Sequence, residues 1–61
     1  MVNKCYLLGK DETFDFAIDW LLNHIPCSIK VEKITRFRVK LYIKYRPEDA
    51  KVVYRTLQRF M

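Results

Sequence analysis

The clearest pattern along the chain is the alternation over residues 36–46. Phe37, Val39, Leu41, Ile43 and Tyr45 are apolar or aromatic, and Arg36, Arg38, Lys40, Tyr42, Lys44 and Arg46 between them are basic except for the tyrosine. Side chains on a strand alternate faces. The pattern therefore predicts a strand with one apolar face and one cationic face that carries an aromatic ring. Val2–Leu8 is rich in apolar residues and stops at Gly9, which predicts an earlier strand. Over Ser28–Ile34, Ile29 and Val31 alternate with Lys30 and Glu32, which predicts a strand between the two. Glu32–Arg36 has no glycine, asparagine or proline to mark a turn. Ile29, Val31, Phe37 and Val39 share parity, so a loop of three or five residues keeps them on one face. One long bent strand is the competing reading.

Two helices complete the pattern. Asp11 or Thr13 can cap the first, acids occupy its first turn, and Pro26 ends it after Asn23 or His24. Phe14, Ala17, Ile18, Leu21, Leu22 and Ile25 form one apolar stripe at helical spacing. Phe16 and Trp20 are four residues apart and fall on the opposite side of the same helix. Either another helix or a loop covers Trp20 edge-on, or the pair is an exposed protein interface. The second helix starts at Arg46-Pro47-Glu48-Asp49-Ala50, with proline in the first turn and acids at the positive end of the dipole. Ala50, Val53, Tyr54, Leu57 and Met61 are its expected core positions. The expected fold is a single-domain α+β, two-layer βαββα sandwich. It has a mainly antiparallel three-stranded sheet with both helices on one face.

Composition narrows the function. Sixty-one residues that are 51% hydrophobic are too apolar for a disordered chain. A domain this small buries only about 60% of its unfolded surface. Apolar surface left over for a partner is expected. Twelve basic residues against seven acids give +5, which favours encounter with polyanions. The charge is uneven. Residues 33–46 carry Lys33, Arg36, Arg38, Lys40, Lys44 and Arg46 and no acid. The N-terminus has no long apolar core of a signal peptide, and no run approaches the ~20 residues of a membrane span. The expectation is a cytoplasmic protein with Cys5 and Cys27 reduced. Asp15 and Asp19 on the first helix argue against an anionic bilayer.

Catalytic chemistry is not indicated. His24 is the single histidine, and with Cys5 and Cys27 it makes too few and too irregular ligands for structural zinc. Gly9 stands alone, so no glycine loop cradles phosphate. No base, nucleophile and oxyanion donor come together in the sequence. Neither an enzyme nor a cofactor is expected.

The cationic face of the third strand is the main candidate site. On the first strand, Cys5 and Leu7 are expected to point to the core and Lys4, Tyr6 and Leu8 away from it. If the first and third strands are neighbours, Tyr6 and Tyr42 stand together among cations, suited to stack on splayed bases while the cations neutralise phosphates.

The segment Tyr42-Ile43-Lys44-Tyr45-Arg46-Pro47-Glu48-Asp49-Ala50, with Val53 and Leu57 after it, resembles the RNA recognition motif where its longer conserved strand runs into its second helix. Cys5-Tyr6-Leu7-Leu8 resembles that family's shorter motif. The resemblance implies a ferredoxin-like order of elements and Tyr6 and Tyr42 as base stackers. Lys40 stands where the family usually has its other stacking aromatic, Val39 where it has glycine, and the family's fourth strand has no counterpart in these residues. The outer edge of the first strand, around Asn3–Leu8, is then open to pairing.

Two functions follow as expectations. The first is binding of RNA or single-stranded DNA through Lys4, Tyr6, Arg36, Arg38, Lys40, Tyr42, Lys44 and Arg46. The second is docking as an inhibitor or adaptor, in the manner of small phage regulators, on a larger protein with an acidic surface, through Phe16, Trp20 and the open strand edge. Homodimerisation through that edge accompanies either.

Overall fold

A computed structural model describes residues 1–61. The elements follow in the order β1 (Val2–Gly9), α1 (Phe14–His24), β2 (Cys27–Lys33), β3 (Arg38–Tyr45) and α2 (Ala50–Gln58), with a 3-10 turn at Pro47–Asp49 leading into α2. The sheet has the order β1-β3-β2, and β3 pairs antiparallel with both neighbours. This is the two-layer βαββα arrangement, with both helices against one face of the sheet.

The parity of β3 organises the core. Val39, Leu41, Ile43 and Tyr45 are buried and meet Phe14 and Leu21 of α1, Val53 and Leu57 of α2, and Phe60 beyond it. Leu8 is the buried contribution of β1. Val31 and Ile29 lie opposite Leu41 and Ile43 on the same face. The last β2–β3 pair is Lys33↔Val39, so five residues separate the paired positions and parity is kept. The antiparallel pairing excludes one long bent strand. Phe37 leaves the apolar face, however. It sits in the bend between the strands, 67% exposed, with the Arg36 guanidinium 5.9 Å from its ring centroid.

Helix α1 begins after an Asp11 turn rather than a Thr13 side-chain cap. Asp11 Oδ1 accepts from the Thr13 backbone N–H at 2.8 Å and from the Thr13 hydroxyl at 2.7 Å. These bonds hold the Asp11 carboxyl below its ordinary value of 3.8. A depressed carboxyl stabilises the fold above its ordinary pKa, and that contribution is lost as pH falls through the lower folded value. Asp11→Asn is therefore expected to flatten the acid limb of a stability-versus-pH curve below the ordinary carboxylate range. An unchanged acid limb would show that the turn does not tie protonation to folding.

The C-terminal stripe differs from the expected one. Ala50, Tyr54 and Met61 are exposed, whereas Val53, Leu57 and Phe60 are buried and Val52 and Thr56 are half-buried. Phe60 sets this rotation. Its ring packs edge-on to Phe14 at 5.3 Å, and its carbonyl accepts the Gly9 N–H at 2.8 Å. The Tyr54 hydroxyl keeps its access to water on the outer side. On α1, Leu22 is 49% exposed and lies at the margin of its stripe. No helix is long and apolar enough to cross a membrane.

Candidate functional site

The face of the sheet away from the helices is uncovered. Even-numbered positions of β3 put Arg38, Lys40, Tyr42 and Lys44 on it. Directly opposite Lys44, Tyr42 and Lys40 on β2 are Ser28, Lys30 and Glu32. On β1, Asn3, Cys5 and Leu7 lie opposite the same three residues. Tyr42 thus stands at the centre, 37% exposed, between Cys5 and Lys30 across the strands and between Lys40 and Lys44 along its own. Beside it lies a shallow depression of ≈ 390 Å³, lined by Asn3, Cys5, Ser28, Lys30, Tyr42 and Lys44 together with Lys4 and Ile43.

Two expected members of the site, Tyr6 and Lys4, carry their side chains on the helix side, because β1 has the opposite parity to the expected one. Tyr6 pairs with Leu41 and Lys4 with Ile43, both core-facing residues of β3, while Cys5 and Leu7 face outward. Tyr6 is half-buried on the helix side, and this partial burial raises its phenol above the ordinary 10.0, with Tyr45 and Tyr54 adding to the shift. A Tyr6–Tyr42 stacking pair on one face is excluded. The segment Val2–Leu8 allows either parity, because Leu7 and Leu8 are adjacent. Burying Val2, Tyr6 and Leu8 removes more apolar area from water than burying Asn3, Cys5 and Leu7, and leaves no buried asparagine.

The two ends of the expected cationic run also leave the face. Arg46 lies past the strand, where its Nε donates to Asp49 Oδ2 at 2.9 Å and is 3.4 Å from Glu48 Oε1. It holds the start of the turn into α2 and partners the buried Asp49 carboxylate. Arg36 sits at the hairpin tip beside Phe37. Lys30, opposite Tyr42, joins the face beyond the expected residues, and its alternation with Ile29 and Val31 is the sequence signal for it. Glu32 brings one negative charge to the face. It accepts the Tyr42 hydroxyl at 3.2 Å, which tilts the phenol toward β2.

A second exposed feature runs along α1. Phe16 is 76% exposed and Trp20 44%. No second helix or loop covers Trp20. It stacks on His24 at 4.2 Å between ring centroids and 12° between planes, and His24 Nδ1 is 2.8 Å from the Trp20 carbonyl oxygen. The three rings form one ridge at i, i+4 and i+8. Cys27 packs against the core. Its half-buried thiol lies 3.7 Å from the Leu21 carbonyl oxygen, and burial, followed by the Asp49 charge, raises its pKa. No group of three or more His, Cys, Asp or Glu side chains could hold a metal ion.

The site is a cationic sheet surface with one central aromatic. Comparison with models of known families, with curated proteins and with solved structures finds no match to this chain.

Proposed function

We propose that the protein binds single-stranded nucleic acid, RNA in particular, on the open face of its sheet. The observation that carries the reading is the placing of Tyr42 among Lys30, Arg38, Lys40 and Lys44 on a face that no other element covers. An unpaired base stacks on the Tyr42 ring and its flanking phosphates meet the cations. A paired base stays in its own stack, so single strands are preferred. With Tyr6 on the other side of the sheet, this surface offers one stacking position on β3 rather than two. Cys5 and Leu7 supply the apolar floor toward β1.

The exposed ridge of Phe16 and Trp20 favours a second reading, docking on a larger protein. Fluorescence anisotropy with a labelled single-stranded RNA at low salt separates the two. Saturable binding is expected, weakened by Tyr42→Ala by about 1–3 kcal/mol, the usual contribution of one base–aromatic stack. No binding by the wild type, or equal binding by Tyr42→Ala, would sink the nucleic-acid reading. A stoichiometric protein retained after nuclease treatment and released by Phe16→Ser would then support the second.

A further inference from the structure

The outer edge of β1 is unpaired from Val2 to Leu8, and only Gly9 at its end has an outside partner, the Phe60 carbonyl. The strand has eight residues, no proline and no bulge, and its ladder runs from Val2↔Tyr45 to Gly9↔Arg38 without a skipped position. Residues of an antiparallel strand send their N–H and C=O groups to alternate sides. The end of β1 fixes which side is which. Lys10 N–H turns inward to the Phe37 carbonyl at 2.7 Å, and Gly9 N–H turns the other way to the Phe60 carbonyl at 2.8 Å. Asn3, Cys5 and Leu7 therefore direct their backbone groups outward, and no turn or loop bond satisfies them. Sheets normally blunt such edges with charge, proline or a bulge. Lys4 is the one charge within Asn3–Leu7, and it lies on the helix side.

We infer that β1 pairs antiparallel with β1 of a second copy, about a two-fold axis at Cys5. The register follows from what the neighbouring ones meet. Outward groups face outward groups over most of the strand when the axis lies at Lys4, Cys5 or Tyr6. An axis at Lys4 sets two ammonium groups opposite each other, which is repulsive. An axis at Tyr6 brings Asn3 of the second copy against Gly9, whose outward N–H already holds Phe60. The axis at Cys5 keeps the ammonium groups apart and sets Gly9 against Met1, which lies outside the strand, so no residue of β1 meets the occupied Gly9 N–H. It sets Asn3 against Leu7 of the second copy and Cys5 against Cys5, and it extends the exposed Leu7 side chains across the joint. The sheet then has the order β2-β3-β1-β1-β3-β2, with the two open faces continuous.

Edge pairing buries less than the about 1,200–2,000 Å² of a standard interface, so the dimer is weak and depends on concentration. Two copies at +5 repel, and salt screens that repulsion. Association therefore strengthens with ionic strength, the condition that weakens nucleic-acid binding. Failure of one proposal is thus distinct from failure of the other.

The test is sedimentation equilibrium of the Cys27→Ser chain across a concentration series at high salt. The expected mass rises toward twice the monomer's 7.5 kDa. A short thiol–thiol cross-linker is expected to join two copies through Cys5. Leu7→Pro removes an outward N–H and spares the ladder to β3, so it is expected to abolish both results with the far-UV spectrum unchanged. A monomer mass at every concentration overturns the proposal, as does a dimer that survives Leu7→Pro. Should Leu7→Pro fail to fold, the linker decides on its own. Cross-linking through Cys5 supports the β1 pair. Cross-linking only through a cysteine placed at Val31 on the β2 edge, in a Cys5→Ser, Cys27→Ser background, overturns it.

Discussion

Phe14→Ala is expected to unfold a large share of the molecules at room temperature. Phe14 is 1% exposed at the start of α1 and packs edge-on to Phe60 at 5.3 Å. Truncating a buried phenylalanine costs about 3–5 kcal/mol, through lost transfer free energy and the cavity left behind. A chain of this length, at roughly 0.05–0.15 kcal/mol per residue, has about 3–9 kcal/mol in total. The loss therefore consumes much of the stability. The position also joins separate parts of the fold. Through Phe60 it anchors the end of α2, and the Phe60 carbonyl holds Gly9 at the end of β1. Urea unfolding followed by far-UV circular dichroism checks the expectation. A midpoint close to the wild type would show that Phe14 and Phe60 are not a shared keystone. Phe16→Ala, two residues away and 76% exposed, is the natural control and should leave the midpoint nearly unchanged.

The contrast between Phe14 and Phe16 also shows what is legible in the amino-acid pattern alone. Periodicity separates them, because a helix pointed inward at 14, 17, 18 and 21 must point outward at 16 and 20. Periodicity likewise located β3, since Val39, Leu41, Ile43 and Tyr45 at strict period two leave one choice of inner face, although the run overreaches at Phe37, which lies in the bend. It failed on β1. Adjacent leucines at 7 and 8 satisfy either parity, and only pairing of Leu8 with Val39 resolves them. The consequence is functional, because the opposite parity sets Tyr6 beside Tyr42, whereas the actual one sets Cys5 there. The stripe of α2 was displaced for a similar reason. Tyr54 and Met61 count as apolar in a pattern, but Phe60 has a tertiary partner in Phe14 that no local rule supplies. Arg46 extended the alternating run of β3 in the sequence. Its ion pairs with Asp49 and Glu48 come from the turn that follows, where the strand has ended.

That sorting of the cations decides the most informative test of the open face. Arg38→Glu/Lys44→Glu is expected to lower affinity for single-stranded RNA at low salt by more than about tenfold and to flatten its salt dependence. Arg38 lies opposite Gly9, and Lys44 lies between Asn3 and Ser28. Neither reversal sets like charges against each other across the strands. Lys40→Glu would do so, because Lys40 pairs with Glu32, and a weakened fold would then confound the result. With one phosphate neutralised by each of Lys30, Arg38, Lys40 and Lys44, the slope of log K against log salt is about −2.8 for a single strand. Losing two of these contacts brings it to about −1.4. Arg46→Gln serves as the internal comparison. Its guanidinium is held by Asp49 and Glu48, so its loss is expected to leave the slope unchanged. Anisotropy titrations at several salt concentrations read all three chains. Equal slopes for the wild type and the double reversal would mean that the strand's cations do not meet phosphate. A flattened slope for Arg46→Gln would mean that the nucleic acid runs past the end of β3 toward α2 rather than across the open face.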